Sequence, residues 1–209
     1  KGNTVTNSGE ITNAGEVRAT NITNEVNGNI ANSGVITSTA VINKGAITNS
    51  GEVNAGDITN EANATIGNSG TIDVANEIAN SGAINNESGA QIKGNTVTNS
   101  GEITNAGEVR ATNITNEANG DIANSGVITS TAVINKGTIT NEGAINSANA
   151  ITNKGTITSN ADDMNVPEIA NSGIYNVTGG TISYKISGES GNRGTVNIRD
   201  NEVTIGNTV

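Results

Sequence analysis

The chain has 209 residues, a net charge of −10, no cysteine and no histidine. Without cysteine there is neither a disulfide framework nor a thiolate metal site, and no metal or cofactor is expected. The excess of carboxylates argues against nucleic acid and anionic membranes as partners, because phosphate-binding surfaces need clustered Lys and Arg. No apolar run is long enough to span a membrane, so membrane insertion is not expected either.

A unit of 36 residues, Val5 to Ala40, recurs along the chain. The next 36 residues again carry Val or Ile at its key positions. A shift of 92 residues reproduces the unit almost letter for letter, since Lys1–Asn49 and Lys93–Asn141 differ at three positions. These differences are Val26/Ala118, Asn29/Asp121 and Ala46/Thr138. We predict an internal duplication, with residues 1–92 and 93–160 as copies and residues 161–209 as divergent C-terminal coils.

The apolar residues of the unit are 5, 6 or 8 residues apart, which does not fit a helix face. Each lies in a short Ile/Val-Thr-Asn segment between turn formers, which favours very short strands. Three such strands take about 18 residues, the length of one coil of a parallel β-helix. Stacked coils place these residues in three inward columns. The columns begin with Val5, Ile22, Val41 and Ile58, with Ile11, Ile30, Ile47 and Ile66, and with Val17, Ile36, Val53 and Ile72.

The predicted fold is therefore an all-β, right-handed parallel β-helix, or β-solenoid, that forms a single domain over residues 1–209. It has three short strands per coil and about eleven coils of about 18 residues, with handedness taken from the crossover preference of parallel sheets. The composition agrees, because the chain has no Leu, Phe or Trp, and a thin lumen accepts stacked Ile and Val instead. These regular columns argue against disorder, the other explanation of a low apolar content.

Asparagine follows each apolar position by about two residues. Asn tolerates the left-handed conformation of tight corners, and stacked Asn side chains can form hydrogen-bonded ladders from coil to coil. The predicted corner ladder contains Asn7, Asn13, Asn24, Asn32, Asn43, Asn49, Asn60 and Asn68. Sugar attachment is the alternative for the residues in acceptor motifs, which are Asn21, Asn63, Asn86, Asn113 and Asn176.

Three places along the chain depart from the pattern, and the last residues repeat its beginning. In the fifth coil the long step falls later, between Ile84 and Ile92, which predicts a turn on a different side. After Ile157 the register breaks, and Asn160–Glu168 holds the only Pro, so a loop or sheet edge is expected. From Thr181 the alternation predicts longer strands or another cross-section. The last four residues, Gly206–Val209, repeat Gly2–Val5, which suggests head-to-tail stacking or a longer parent chain.

Other functional signals are weak. The Thr residues beside the apolar positions point outward and could bind ice or glycan, but only Thr37-Ser-Thr39 and Thr129-Ser-Thr131 have the paired spacing of ice-binding faces. Catalysis has little support: Asp162-Asp163 is the one adjacent carboxylate pair, and a solvated loop explains it. No catalytic, cofactor-binding or metal-binding residue is predicted, and we expect the chain not to be an enzyme.

The recurring N-S-G-x-I and N-A-G-x-V motifs, as in Asn7–Ile11, Asn13–Val17 and Asn32–Ile36, resemble a known family. They are similar to the N-x-G-x-I repeats of filamentous-haemagglutinin-type exoproteins and of β-helical autotransporter passengers. The resemblance covers about three quarters of the chain, from Val5 to Ile157. The chain departs from that family in its steps of 5 and 8, and no binding residue carries over.

The resemblance implies a secreted structural and adhesive rod on the bacterial cell surface, with a role in adhesion or biofilm and a glycan or protein of the host or surface as partner. The alternative is a subunit that stacks on itself, head to tail, in an extracellular filament. A minor alternative is an ice- or glycan-binding solenoid.

Overall fold

Two parallel sheets follow the length of the chain and enclose one narrow core. The structure, a computed structural model, describes residues 2–188, 192–199 and 203–205. Within these residues the strands pair in parallel with strands of the neighbouring coils, and the helical content is one 3₁₀ turn, Ala161–Asp163. The prediction of an all-β parallel solenoid with about eleven coils of about 18 residues is confirmed.

The first sheet, called the long sheet, has 13 described strands. They are β1 Gly2–Asn7, β3 Glu16–Asn24, β5 Val35–Asn43, β7 Glu52–Asn60, β9 Thr71–Asn80, β11 Gln91–Asn99, β13 Glu108–Asn116, β15 Val127–Asn135, β17 Ala144–Ser147, β18 Ile151–Asn153, β20 Met164–Asn165, β21 Glu168–Asn171 and β24 Lys185–Ser187.

The second sheet, called the short sheet, has 11 described strands, one for each coil. They are β2 Glu10–Asn13, β4 Asn29–Asn32, β6 Ala46–Asn49, β8 Thr65–Asn68, β10 Ala83–Asn86, β12 Glu102–Asn105, β14 Asp121–Asn124, β16 Thr138–Asn141, β19 Thr156–Ser159, β22 Ile174–Val177 and β25 Thr195–Ile198. A separate pair is formed by β23 Thr181–Ile182 and β26 Thr204–Ile205.

The strands differ from the prediction in one respect: two of the three expected short strands are continuous. In β3, Val17 and Ile22 both face the core although they are an odd number of residues apart, and a flat strand would place them on opposite faces. The inward–outward alternation of the side chains is interrupted at a bend in the strand. Pairing with β5 accordingly joins Ala19 to Ser38 and resumes at Asn21, so that Thr20 is skipped.

The three apolar columns stack in register from coil to coil. Ile22 pairs with Val41, Ile30 with Ile47 and Ile36 with Val53, and the same order continues in both directions. All predicted column members from the second coil onward are buried, and Val5, Ile11 and Val17 of the first coil are partly buried. In the fifth coil a four-residue turn, Glu87–Ala90, follows the short-sheet strand, whereas the turn Glu61–Ala64 one coil earlier follows a long-sheet strand.

The predicted register break after Ile157 is wrong. Ile151 pairs with Ile169, which pairs with Ile186, so one column continues through the segment with the proline. Pro167 lies between β20 and β21, where the long strand is interrupted and no ladder donor is needed. The described C-terminal strands are shorter than the predicted ones, at two to four residues each.

Candidate functional site

Two ladders of buried asparagine side chains run parallel to the solenoid axis. The first, called the long-sheet ladder, joins the last residues of the long-sheet strands: Asn7, Asn24, Asn43, Asn60, Asn80, Asn99, Asn116, Asn135, Asn153 and Asn171. Each Nδ2 as far as Asn153 donates to the Oδ1 of the next coil, at 2.8 Å from Asn43 to Asn60 for example. A ladder of this kind ties each coil to both neighbours.

The second, called the short-sheet ladder, ends the short-sheet strands in the same way. It joins Asn13, Asn32, Asn49, Asn68, Asn86, Asn105, Asn124 and Asn141, and then Ser159. The second amide proton is used as well: Asn49 Nδ2 donates to the carbonyl of Thr71, at 3.0 Å. All these bonds point from one coil to the next in chain order, so the amide dipoles align and can strengthen one another.

The left-handed role predicted for these asparagines is wrong. Among the described residues, Asn63 is the one non-glycine residue with positive φ, and it belongs to neither ladder. The ladder asparagines close extended strands and point inward, because the chain turns directly after them and leaves their amides between coils. Most glycines here are required because a side chain would not fit against the neighbouring coil, and not because the backbone has a positive φ. A Cβ on Gly51 would overlap the carbonyl oxygen of Gly34 in the coil below.

A shallow groove follows the bend of the long sheet on the outside of the molecule. Its recesses are about 360 to 540 Å³ each. Neighbouring recesses share residues, since Thr37–Thr39 lines two of them and Thr129-Ser130 lines two others. The groove therefore extends over many coils with a repeated lining of hydroxyl, amide and small side chains.

Charged residues of both signs border this groove. Arg110 Nη2 lies 2.7 Å from Glu108 Oε1, two residues away on the same strand, and Arg18 pairs with Glu16 in the same way. Lys93 lines the same recess as Arg110, and Asp73 lines another. These pairs are exposed and contribute little to stability, so their side chains are free to exchange one partner for another.

Sugar attachment and ice binding were the alternative roles for surface residues, and the structure locates the residues concerned. Of the glycan acceptor motifs, Asn86 is fully buried in the short-sheet ladder, and Asn176 is buried and donates to Thr158 Oγ1 at 3.0 Å. Neither amide can carry a sugar without leaving its place, whereas Asn21, Asn63 and Asn113 are exposed. The paired Thr37 and Thr39 line a recess of the groove, and ice binding stays a prediction.

The adjacent carboxylates lie in the 3₁₀ turn and have structural contacts. Asp162 Oδ1 accepts from the backbone N–H of Thr181 at 2.9 Å, and its own N–H is bound by the Asn160 side chain. Across the described residues no group of three or more acidic side chains is placed to hold a metal ion. Nor does the described part contain a helix long and apolar enough to cross a membrane.

A buried tyrosine pair was missed by the sequence reasoning. Tyr175 replaces an isoleucine in the middle column, pairing with Ile157, and its hydroxyl is hydrogen-bonded to that of Tyr184. Burial raises the pKa of both phenols. The signal was present, since these are the only two tyrosines of the chain and both lie in the divergent C-terminal coils. A single pair has no period, however, and the spacing rules could not place it.

The segment on which head-to-tail stacking was predicted, Gly206–Val209, lies outside the described residues. Comparison with known proteins gave no match: no protein-family model, no curated protein and no solved structure matches the chain. The resemblance to bacterial exoproteins therefore depends on the repeated motif and on the solenoid fold that it implied.

Proposed function

We propose that this chain is a non-enzymatic, extracellular, structural and adhesive rod of a bacterial surface protein. The observation that carries the proposal is the unbroken stack of about eleven coils, tied together by three apolar columns and two asparagine ladders. At about 4.8 Å per coil, such a stack is a stiff spacer of roughly 50 Å. The resemblance of its N-x-G-x-I motif to exoprotein repeats supports the cell-surface location.

The groove along the bend of the long sheet supports the adhesive part of the proposal. Its hydroxyl and amide groups recur from coil to coil, so an extended glycan or polypeptide could meet the same kinds of group again and again. Many weak contacts along one ligand add up to useful avidity without a deep pocket. The fixed spacing matters, because avidity is lost when the geometry forbids simultaneous contacts.

A particle-capture experiment tests this proposal. The full chain is coupled to fluorescent particles, which are passed over surfaces that carry immobilised glycans or extracellular matrix proteins. We expect capture above that of uncoated particles. The groove variant Thr39→Glu/Thr131→Glu should lose most of the capture, since both residues are exposed and line the groove. The matched control Thr12→Glu/Thr104→Glu changes two exposed residues on the outside of the short sheet and should bind like the original chain.

Equal capture by the groove variant and the control would contradict the groove as the adhesive surface. Absence of capture on every surface would contradict adhesion itself.

Head-to-tail association into filaments stays a prediction. Its check is sedimentation of the chain over a wide concentration range. Association that grows with concentration would support it, and a strict monomer at high concentration would contradict it.

A further inference from the structure

The same sequence occurs twice in this molecule in two different surroundings. The second copy, from Lys93, lies on the coil Thr71–Ala90: β11 pairs with β9 and β12 pairs with β10. The first copy, from Lys1, has identical residues as far as Glu25. Among the described residues, its strands β1 and β2 pair only with β3 and β4, on the side of the following coil.

In the second copy the preceding coil is held by backbone and side-chain hydrogen bonds. Ser100 N donates to Asn80 O and Glu102 N to Gly82 O, both at 2.8 Å. Next to the short sheet, Ala106 N donates to Asn86 O at 2.8 Å. The equivalent donors of the first copy are the N–H groups of Ser8, Glu10 and Ala14.

The asparagine ladders join the same two coils. Asn80 Nδ2 donates to Asn99 Oδ1 at 2.7 Å, and Asn86 Nδ2 donates to Asn105 Oδ1 at 2.8 Å. The equivalent acceptors in the first copy are Asn7 Oδ1 and Asn13 Oδ1. Each of these accepts instead from a glycine N–H two residues further on, at 3.2 Å.

Burial of the column residues shows the same difference. Val97, Ile103 and Val109 of the second copy are 2 to 4% exposed. Their equivalents Val5, Ile11 and Val17 have the same side chains and the same place in the coil, but they are only partly buried. The first coil therefore presents an apolar surface with a row of hydrogen-bonding groups at its edge, and the second copy shows what fits on it.

We propose that this surface of β1, β2 and the start of β3 is a docking surface for a solenoid coil of the Thr71–Ile92 type, in which both strands end in asparagine. The two Asn Nδ2 groups select this partner, because each meets an Oδ1 acceptor of the first coil. A coil with Asp at these places would bring a carboxylate against an amide oxygen, which is repulsive. The described C-terminal strands β24 and β25 end in Ser187 and Ile198 and lack both donors.

This inference depends on the contacts of the second copy and does not require the rod to be adhesive. It is tested by placing a further copy of residues 71–92 before Lys1. The new junction, Ile92–Lys1, repeats the existing Ile92–Lys93, so no foreign sequence is introduced. Since the chain has no cysteine, a single Val5→Cys substitution then reports the accessibility of the surface to a thiol reagent.

We expect the Val5→Cys thiol to react readily in the original chain and to become as slow in the extended chain as a Val97→Cys thiol in the original chain. Thr12→Cys should react at the same rate in both chains, because Thr12 and its equivalent in the second copy, Thr104, are both exposed. A slow Val97→Cys thiol in the extended chain shows that this chain remains folded. An unchanged rate at Val5→Cys in the extended chain would overturn the proposal.

A second extended chain carries Asp in place of both Asn80 and Asn86 of the added coil. Its Val5→Cys thiol should keep the fast rate of the original chain. Full protection by this Asp-ended coil would overturn the selection by asparagine.

Discussion

The coils up to Ser159 and the coils after it solve the same packing problem with different residues. In the regular part the lumen is filled by Ile and Val, and both corners are closed by asparagine ladders. In the C-terminal part Met164 and Tyr175 enter the columns, and the short-sheet ladder ends as Asn141 donates to Ser159 Oγ at 3.0 Å. The next residue at that corner is Val177, which is fully buried.

Parallel pairing nevertheless keeps its register across the change. Ile151, Ile169 and Ile186 continue one column, and the long-sheet ladder reaches Asn171. The comparison indicates that coil register depends on apolar columns and backbone pairing. The asparagine ladders add stability wherever a polar residue closes a strand. A larger side chain is tolerated where a partner such as Tyr184 fills the space beside it.

The largest effect is expected from a charge in an apolar column. Ile30→Asp would bury an unpaired carboxylate at a position that is 2% exposed, at a cost of several kcal/mol. Thr12→Asp changes an exposed neighbour in the adjacent coil and should be nearly neutral. Urea denaturation of both variants measures the difference, and equal losses of stability would disprove the three-column arrangement.

A smaller loss is expected from a break in a ladder. Asn60→Ala removes the acceptor of Asn43 and the donor to Asn80, both at 2.8 Å, and should cost about 3 kcal/mol because buried polar groups lose their partners. Ser159→Ala, at the end of the short-sheet ladder, should cost about 1 kcal/mol. The two values come from the same denaturation measurement. If Ser159→Ala lowered the free energy of unfolding as much as Asn60→Ala or more, the interior of the ladder would contribute no more to stability than its end.

The tyrosine pair predicts a dependence on alkaline pH that is specific to the C-terminal coils. Burial raises the pKa of both phenols in the folded chain, so the folded state holds these protons more tightly than the unfolded state. Their contribution is complete below the unfolded pKa of about 10 and decreases as the pH rises above it.

Melting temperatures between pH 8 and 11 measure this effect. Tyr175→Phe/Tyr184→Phe should show a shallower decline than the original chain. If the melting temperature fell equally with pH in both proteins, the tyrosine pair would not be the cause of the decline.

The sequence was sufficient for the solenoid, because steps such as those from Val17 to Ile36 and Val53 repeat once per coil. It did not predict that Val17 and Ile22 share one strand, since the bend between them depends on how neighbouring coils pair. It predicted hydrogen-bonded asparagine ladders at the corners but assigned the wrong backbone conformation to their residues. Local residue preference could not show that their amides face inward. The tyrosine pair could not be predicted because Tyr175 and Tyr184 meet only through the folding of two coils.

The most direct measurement of the stacked-coil account is the length of a chain that lacks residues 41–132. Its junction, Ala40–Val133, repeats the existing Ala132–Val133, and the deletion removes 92 residues, or five coils of about 18. Small-angle X-ray scattering should show a folded rod that is shorter by about 24 Å, at about 4.8 Å per coil, with an unchanged cross-section. A chain that unfolds, or that keeps its length and becomes thinner, would contradict the account.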